Sequence, residues 1–250
     1  MMHAELTINQ KTYRANLSKP LDISIPLRAG INNVIAWYAP PVEISPVRMD
    51  SWVGEVAQGG SVNFRNIFFN PHAHGTHTEC VGHITEEWIS LNQHLKQFFF
   101  TAKLITLQPE KINGDSVITL KQLTACNTEG VEAFIIRTVP NTSSKLTAHY
   151  SNTNPPYLHH EAAAWMVKQN IKHLLLDLPS VDREQDGGQL LAHNAFWNTA
   201  NSIRYDATIT ELIFVPDEIK DGLYLLNLQI TALENDASPS KPVLFELTEQ

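Results

Sequence analysis

The chain has 250 residues, 43% hydrophobic and 18% charged, which excludes a disordered chain and leaves enough length to bury a full core. Its 18 Lys+Arg against 26 Asp+Glu give a formal net charge of -8, which argues against nucleic acid or an anionic membrane as partner. No run approaches the ~20 apolar residues of a membrane helix. The opening MMHAELTINQ lacks a signal-peptide core, and there are only two cysteines, Cys80 and Cys126, so a reduced, cytoplasmic protein is expected.

In chain order, ELTIN and TYRANL flank Gln10-Lys11 as an N-terminal hairpin. Strands are then expected at LDISIPL (21–27), NFRNIFF (63–69), AKLITLQ (102–108), EAFIIRT (132–138), KHLLLDL (172–178), TITELIFV (208–215) and LYLLNLQIT (223–231). These segments combine β-branched or aromatic enrichment with alternation or short apolar runs. Helices are expected over 160–170, HEAAAWMVKQN, just after Pro155-Pro156, and over 189–200, QLLAHNAFWNTA. Two stretches rich in turn formers remain. Residues 138–156 read as a long loop, and ENDASPSKP (234–242) as a turn before a last strand, VLFEL. Neither forces a boundary, so residues 1–250 are expected to form one domain of the α/β (α+β) class with a mixed sheet.

One stretch stands apart. NPHAHGTHTECVGH, residues 70–83, holds four histidines and a glutamate. In an extended chain His77 and Glu79 point to the same side. An imidazole and a carboxylate sharing one face are suitable donors for Zn²⁺ or Mn²⁺. His83 follows Gly82, where the chain can turn back over such a site. Cys80 reads as a small buried hydrophobe. Further along, Glu211 shares a strand face with Ile209 and Ile213, so it is either half exposed or held by a partner or a metal. His193 lies on a helix among apolar neighbours, and alone reads as a core histidine. Asp177 and Asp182 fall at and just past a strand's C-terminal end, where α/β sites collect. Trp37, Phe68 and Trp88 are candidate pocket aromatics or core.

These islands together resemble one family. GTHTECVGH is similar to the His-x-Gly-Thr-His-x-Asp-x-Pro-x-His signature of the cyclase / kynurenine formamidase family of metal-dependent hydrolases. HHEAAAWMVKQNIKHLLLDLPSVD, LLAHNAF, ITELIF and LDISIPL resemble its other conserved pieces, over roughly residues 20 to 250. The resemblance implies a compact swivelling β/β/α fold and one or two divalent metals. It further implies hydrolysis of an N-formyl or cyclic amide, in a homo-oligomer, a dimer or tetramer. Carried over by residue, His77, Glu79, His193 and Glu211 would be metal ligands and His83 the proton-transfer residue.

The chain departs from that pattern. Glu79 replaces the family Asp, and Val81 the family Pro. Ala73 stands where the first signature histidine belongs, with His72 and His74 on either side. A bulge or tight turn at His74-Gly75 would shift the register by one and bring His72, rather than His74, to the metal. The expected reaction is attack on the amide carbonyl by metal-activated water, with His83 passing a proton to the leaving nitrogen. The competing expectation, motivated by Glu79 and Ala73, is a non-catalytic relative that binds a small acid or a structural metal.

Overall fold

The computed structural model describes residues 1–250. Nine strands carry the architecture: β1 (His3–Ile8), β2 (Lys11–Asn16), β3 (His77–Glu79), β4 (Phe99–Leu107), β5 (Ala133–Thr138), β6 (His173–Leu176), β7 (Thr208–Glu211), β8 (Gly222–Ile230) and β9 (Ala237–Glu249). Seven of them close into a mixed barrel in the order β9-β8-β4-β5-β6-β7-β3, with β3 returning to pair with β9. β4, β5, β6 and β7 run parallel, and the remaining neighbours antiparallel.

The parallel segment explains the apolar runs seen in the sequence. Every residue of β5, β6 and β7 is buried, as expected when a sheet is covered on both faces. Two helices help to cover it. α1 (His160–Lys168) buries Ala162, Ala163 and Met166, and α2 (Leu191–Trp197) buries Ala192, Phe196 and Trp197. All six belong to the same main core as Phe134, Ile135 and Leu175.

The long strand β9 decides how the barrel shuts. Its first three residues pair with β3, Ala237 opposite Glu79 and Pro239 opposite His77. Its middle pairs with β8, and its last three residues pair with β2. The N-terminal hairpin hangs from that far end. Its turn is Asn9-Gln10, both at positive φ, one residue earlier than expected.

Several sequence expectations are corrected. The segment 234–242 is not wholly a turn, because β9 begins at Ala237 and includes Pro239 and Pro242. Of LDISIPL only Leu21–Asp22 is a strand, pairing with β9 at Val243 and Leu244. Its continuation is pinned instead by Thr76, whose Oγ1 accepts from the Ile25 amide and donates to the Leu212 carbonyl. NFRNIFF forms an exposed strand, Arg65–Phe68, paired with Glu43–Pro46 outside the barrel. β7 ends at Glu211, because Leu212 adopts φ +54 and breaks the strand before Ile213. Trp37, Phe68 and Trp88 are all exposed rather than core.

Candidate active site

The barrel's closing seam places the histidines. Asn70 starts a tight turn: its Oδ1 accepts from the His72 amide, and its carbonyl accepts from the amides of Ala73 and His74. This Asx turn, rather than a β-bulge, sets the register. It turns His74 away from the cluster into a buried loop pocket, where Nδ1 accepts from the Asn70 amide and Nε2 donates to the Pro40 carbonyl. It turns His72 inward. Gly75 at φ +71 then leads into β3.

Glu79 lies at the centre of the cluster, fully buried. Its Oε1 is 3.2 Å from His193 Nε2, and its Oε2 is 3.0 Å from His72 Nδ1 and 3.9 Å from His83 Nε2. His83 comes from the short 3-10 turn Val81–Ile84 and stacks on His72 with ring centres 4.2 Å apart. His77 lies alongside, its ring centre 5.4 Å from that of His72. Its Nδ1 donates to the Gly75 carbonyl at 3.1 Å. Its Nε2 is buried with no hydrogen-bond partner, and the nearest carboxylate oxygen, Glu211 Oε2, is 3.5 Å away.

The sequence candidates therefore converge, with one difference of degree. His72, His77, Glu79, His83 and His193 bring their donor atoms together. Glu211 reaches the group through His77, and its other oxygen accepts from the Val181 amide. His193 is not a core histidine with a local partner only. Its Nδ1 is held at 2.6 Å by Asp182 Oδ2, while Nε2 faces Glu79. Asp182 also accepts from the amides of Ala192 and His193, satisfying free N–H groups at the start of α2. One side chain thus caps a helix and orients an imidazole. Asp177 lies elsewhere, bound by Lys145 and Thr138.

Asp236 was missed by sequence reasoning. It precedes β9, and its Oδ2 is 2.8 Å from His72 Nε2 and 3.5 Å from His83 Nδ1. The only local signal was an acid in a turn-forming segment, which resembles any surface turn.

The electrostatics follow from this packing. Burial opposes charge on His72, but Asp236 and Glu79 outweigh it and raise its pKa to about 10. Burial is likewise outweighed at His193 by Asp182 and Glu79, raising it to about 10. Against the cost of burial, His83, His193 and His72 hold Glu79 well below the usual carboxylate range, and His72 and His83 do the same for Asp236.

The donor set fits a divalent cation. His77 offers a lone pair that nothing in the protein uses, beside a buried carboxylate. Each of His72, His77 and His193 has its other nitrogen tied to a carboxylate or a backbone carbonyl, the arrangement that fixes the tautomer of a metal-binding imidazole.

A mixed strand barrel with imidazoles gathered around a buried carboxylate at its closing seam presents a donor set of the metal-binding type. The family follows from the sequence comparison: the model described as "Putative cyclase" matches residues 21–183, and the chain belongs to that family. Kynurenine formamidase of Bacillus cereus is 28% identical over 229 residues, covering 91% of this chain and 97% of that protein. The kynurenine formamidase of Bacillus cytotoxicus is 28% identical over 194 residues, 76% and 83% of the two chains. Among solved structures, a "potential metal-dependent hydrolase with cyclase activity" superposes with a TM-score of 0.66 at 18% identity, covering 91% of this chain and 97% of that one. An isatin hydrolase bound to the product analogue thioisatinate gives 0.65 at 15% identity, covering 93% of each. Those two structures share the fold.

Proposed function

We propose that the chain is a metal-dependent hydrolase of a carbon–nitrogen amide bond, either an N-formyl amide or a cyclic amide. The observation that carries this reading is the buried, unpartnered Nε2 of His77, 3.5 Å from Glu211 Oε2 and in one donor group with His72 and Glu79. The kynurenine formamidase and isatin hydrolase relatives support the same substrate class.

His72, His77, Glu79 and His193 would hold the cation or cations, Zn²⁺ or Mn²⁺, with Glu211 beside His77. Bound there, a divalent cation would polarise a carbonyl and lower the pKa of water toward about 7. The chain's own residues do the rest. Asp182 keeps the His193 ring turned toward Glu79, and the Gly75 carbonyl keeps His77 Nε2 turned into the cluster beside Glu211. His83 is partly exposed at the rim, so it can meet both the site and a substrate. An imidazole at that place can take a proton from the attacking water and give it to the leaving nitrogen. Residues 1–250 would act as one domain of a cytoplasmic homo-oligomer, a dimer or tetramer. The exposed Phe64, Ile67 and Phe68 on and beside the outer ribbon support an assembly surface.

Elemental analysis of the purified protein, followed by hydrolysis assays on N-formyl aryl amines and on cyclic amides after Zn²⁺ or Mn²⁺ addition, tests this. We expect one or two equivalents of metal and metal-dependent turnover of one of the two amide classes. Bound metal with no turnover of either would leave a metal-binding relative without this activity.

A further inference from the structure

Ala73 stands between His72 and His74, and it is His72 that enters the donor cluster, from a turn position outside strand β3. A histidine entering from a turn needs something to hold its ring, since strand pairing does not. The other two imidazoles show what such a hold looks like. His77 is tied through Nδ1 to the Gly75 carbonyl, and His193 through Nδ1 to Asp182. His72 is tied in the same way through Nε2, and its partner is Asp236.

Asp236 is itself well anchored. Its carbonyl accepts from the Cys80 amide at 3.0 Å, and the carbonyl of Asn235 accepts from the Leu91 amide at 2.8 Å. The next residue, Ala237, pairs with Glu79 across the seam. Asp236 is therefore fixed in register with the central carboxylate. Gly82 leaves room for it: a Cβ at that position would stand 3.2 Å from the Cβ of Asp236 and collide with the Ile89 carbonyl.

We propose that Asp236 is a positioning residue for the metal site, holding His72 by its Nε2–H so that Nδ1 faces the cation beside Glu79. The inference rests on the metal-site reading above. His72 stands between two carboxylates, Nδ1 3.0 Å from Glu79 Oε2 and Nε2 2.8 Å from Asp236 Oδ2; a cation beside Glu79 would take the place of the Nδ1 proton and leave the Nε2–H held by Asp236.

The test is a double-mutant cycle read by Zn²⁺ affinity in competition with a chromophoric chelator. Asp236→Ala should weaken Zn²⁺ binding roughly 10- to 100-fold, as for other residues that orient a metal-binding histidine. In the His72→Ala background the same substitution should cost nothing further, because the ring it orients is gone. Asp236→Asn keeps the size and one acceptor, and should fall between wild type and Asp236→Ala; it carries the same cycle where the alanine variant does not fold. A loss undiminished in the His72→Ala background overturns the proposal, because Asp236 would then act independently of His72, as a ligand in its own right for example. Wild-type affinity in Asp236→Ala overturns it while leaving the metal site standing. A wild-type protein that fails to compete for Zn²⁺ overturns both.

Discussion

His72 and His74 are separated by one residue and do opposite things. His74 has both ring nitrogens committed to backbone groups of the surrounding loops, whereas His72 has both committed to carboxylates of the site. His72→Ala should sharply reduce metal content measured by elemental analysis. His74→Ala should leave metal content near wild type while lowering stability by about 1–3 kcal/mol, the cost of leaving backbone partners unpaired. Gly75→Val should resemble His72→Ala, because a β-branched residue strongly disfavours φ +71. Loss of metal from His74→Ala with retention by His72→Ala would reverse this assignment. His83 is a different case. It is 3.9 Å from Glu79 and 3.5 Å from Asp236, at the rim rather than the centre. His83→Ala should keep the metal and lose turnover on the order of 10²–10⁴-fold, as for a lost proton-transfer group. Steady-state kinetics with metal analysis of the same preparation checks it, and loss of metal would make His83 a ligand.

At the scale of elements, the parallel strands are packed so tightly that even polar residues on them are enclosed. His173 on β6 is buried, with Nδ1 2.9 Å from Thr208 Oγ1 on β7 and its ring against Phe100. Burial lowers its pKa to about 3, from an ordinary 6.5. Because the folded-state value lies below the unfolded one, the stability tied to neutral His173 is present above pH 6.5 and drains away as pH falls toward 3. The slope from this one group is at most about 1.4 kcal/mol per pH unit in that window. Denaturant unfolding between pH 7 and 4 should show a steeper acid loss for wild type than for His173→Gln, and equal slopes would exclude the mechanism. α2 shows the reverse economy. Its first turn depends on Asp182, a residue ten positions from Ala192, so helix start and site geometry stand or fall together.

For the whole molecule, the seam is where folding and function meet. Residues 77–79 and 237–239 pair only when the barrel shuts, and the cluster sits on both sides of that pairing. A cation bound across it stabilises the closed barrel by mass action, about 2.7 kcal/mol at a concentration 100 times Kd. For a chain of this size that corresponds to roughly 5–10 °C in Tm. Exhaustive chelation should lower Tm by about that amount, and restored Zn²⁺ or Mn²⁺ should return it. An unchanged Tm would mean that no tightly held metal spans the seam.

The sequence by itself determined what local chemistry encodes. Alternation and β-branched runs marked β4 to β8, because period-two patterning reflects which face is buried. The spacing of His77 and Glu79 showed a shared face, because a strand fixes side-chain direction over two residues. The family islands pointed to His193 and Glu211 at a distance that no periodicity spans. Tertiary structure alone decided the rest. Whether His72 or His74 turns inward depends on Asn70 and Pro40 closing the turn around His74. The early start of β9 depends on β3 lying beside it, since local composition there favours a turn. Asp236 became visible only when that pairing brought it to His72, 164 residues away in the chain. A single acid in a turn carries no mark of its partner, and the hydrogen bond that gives it a role exists only once the barrel is closed.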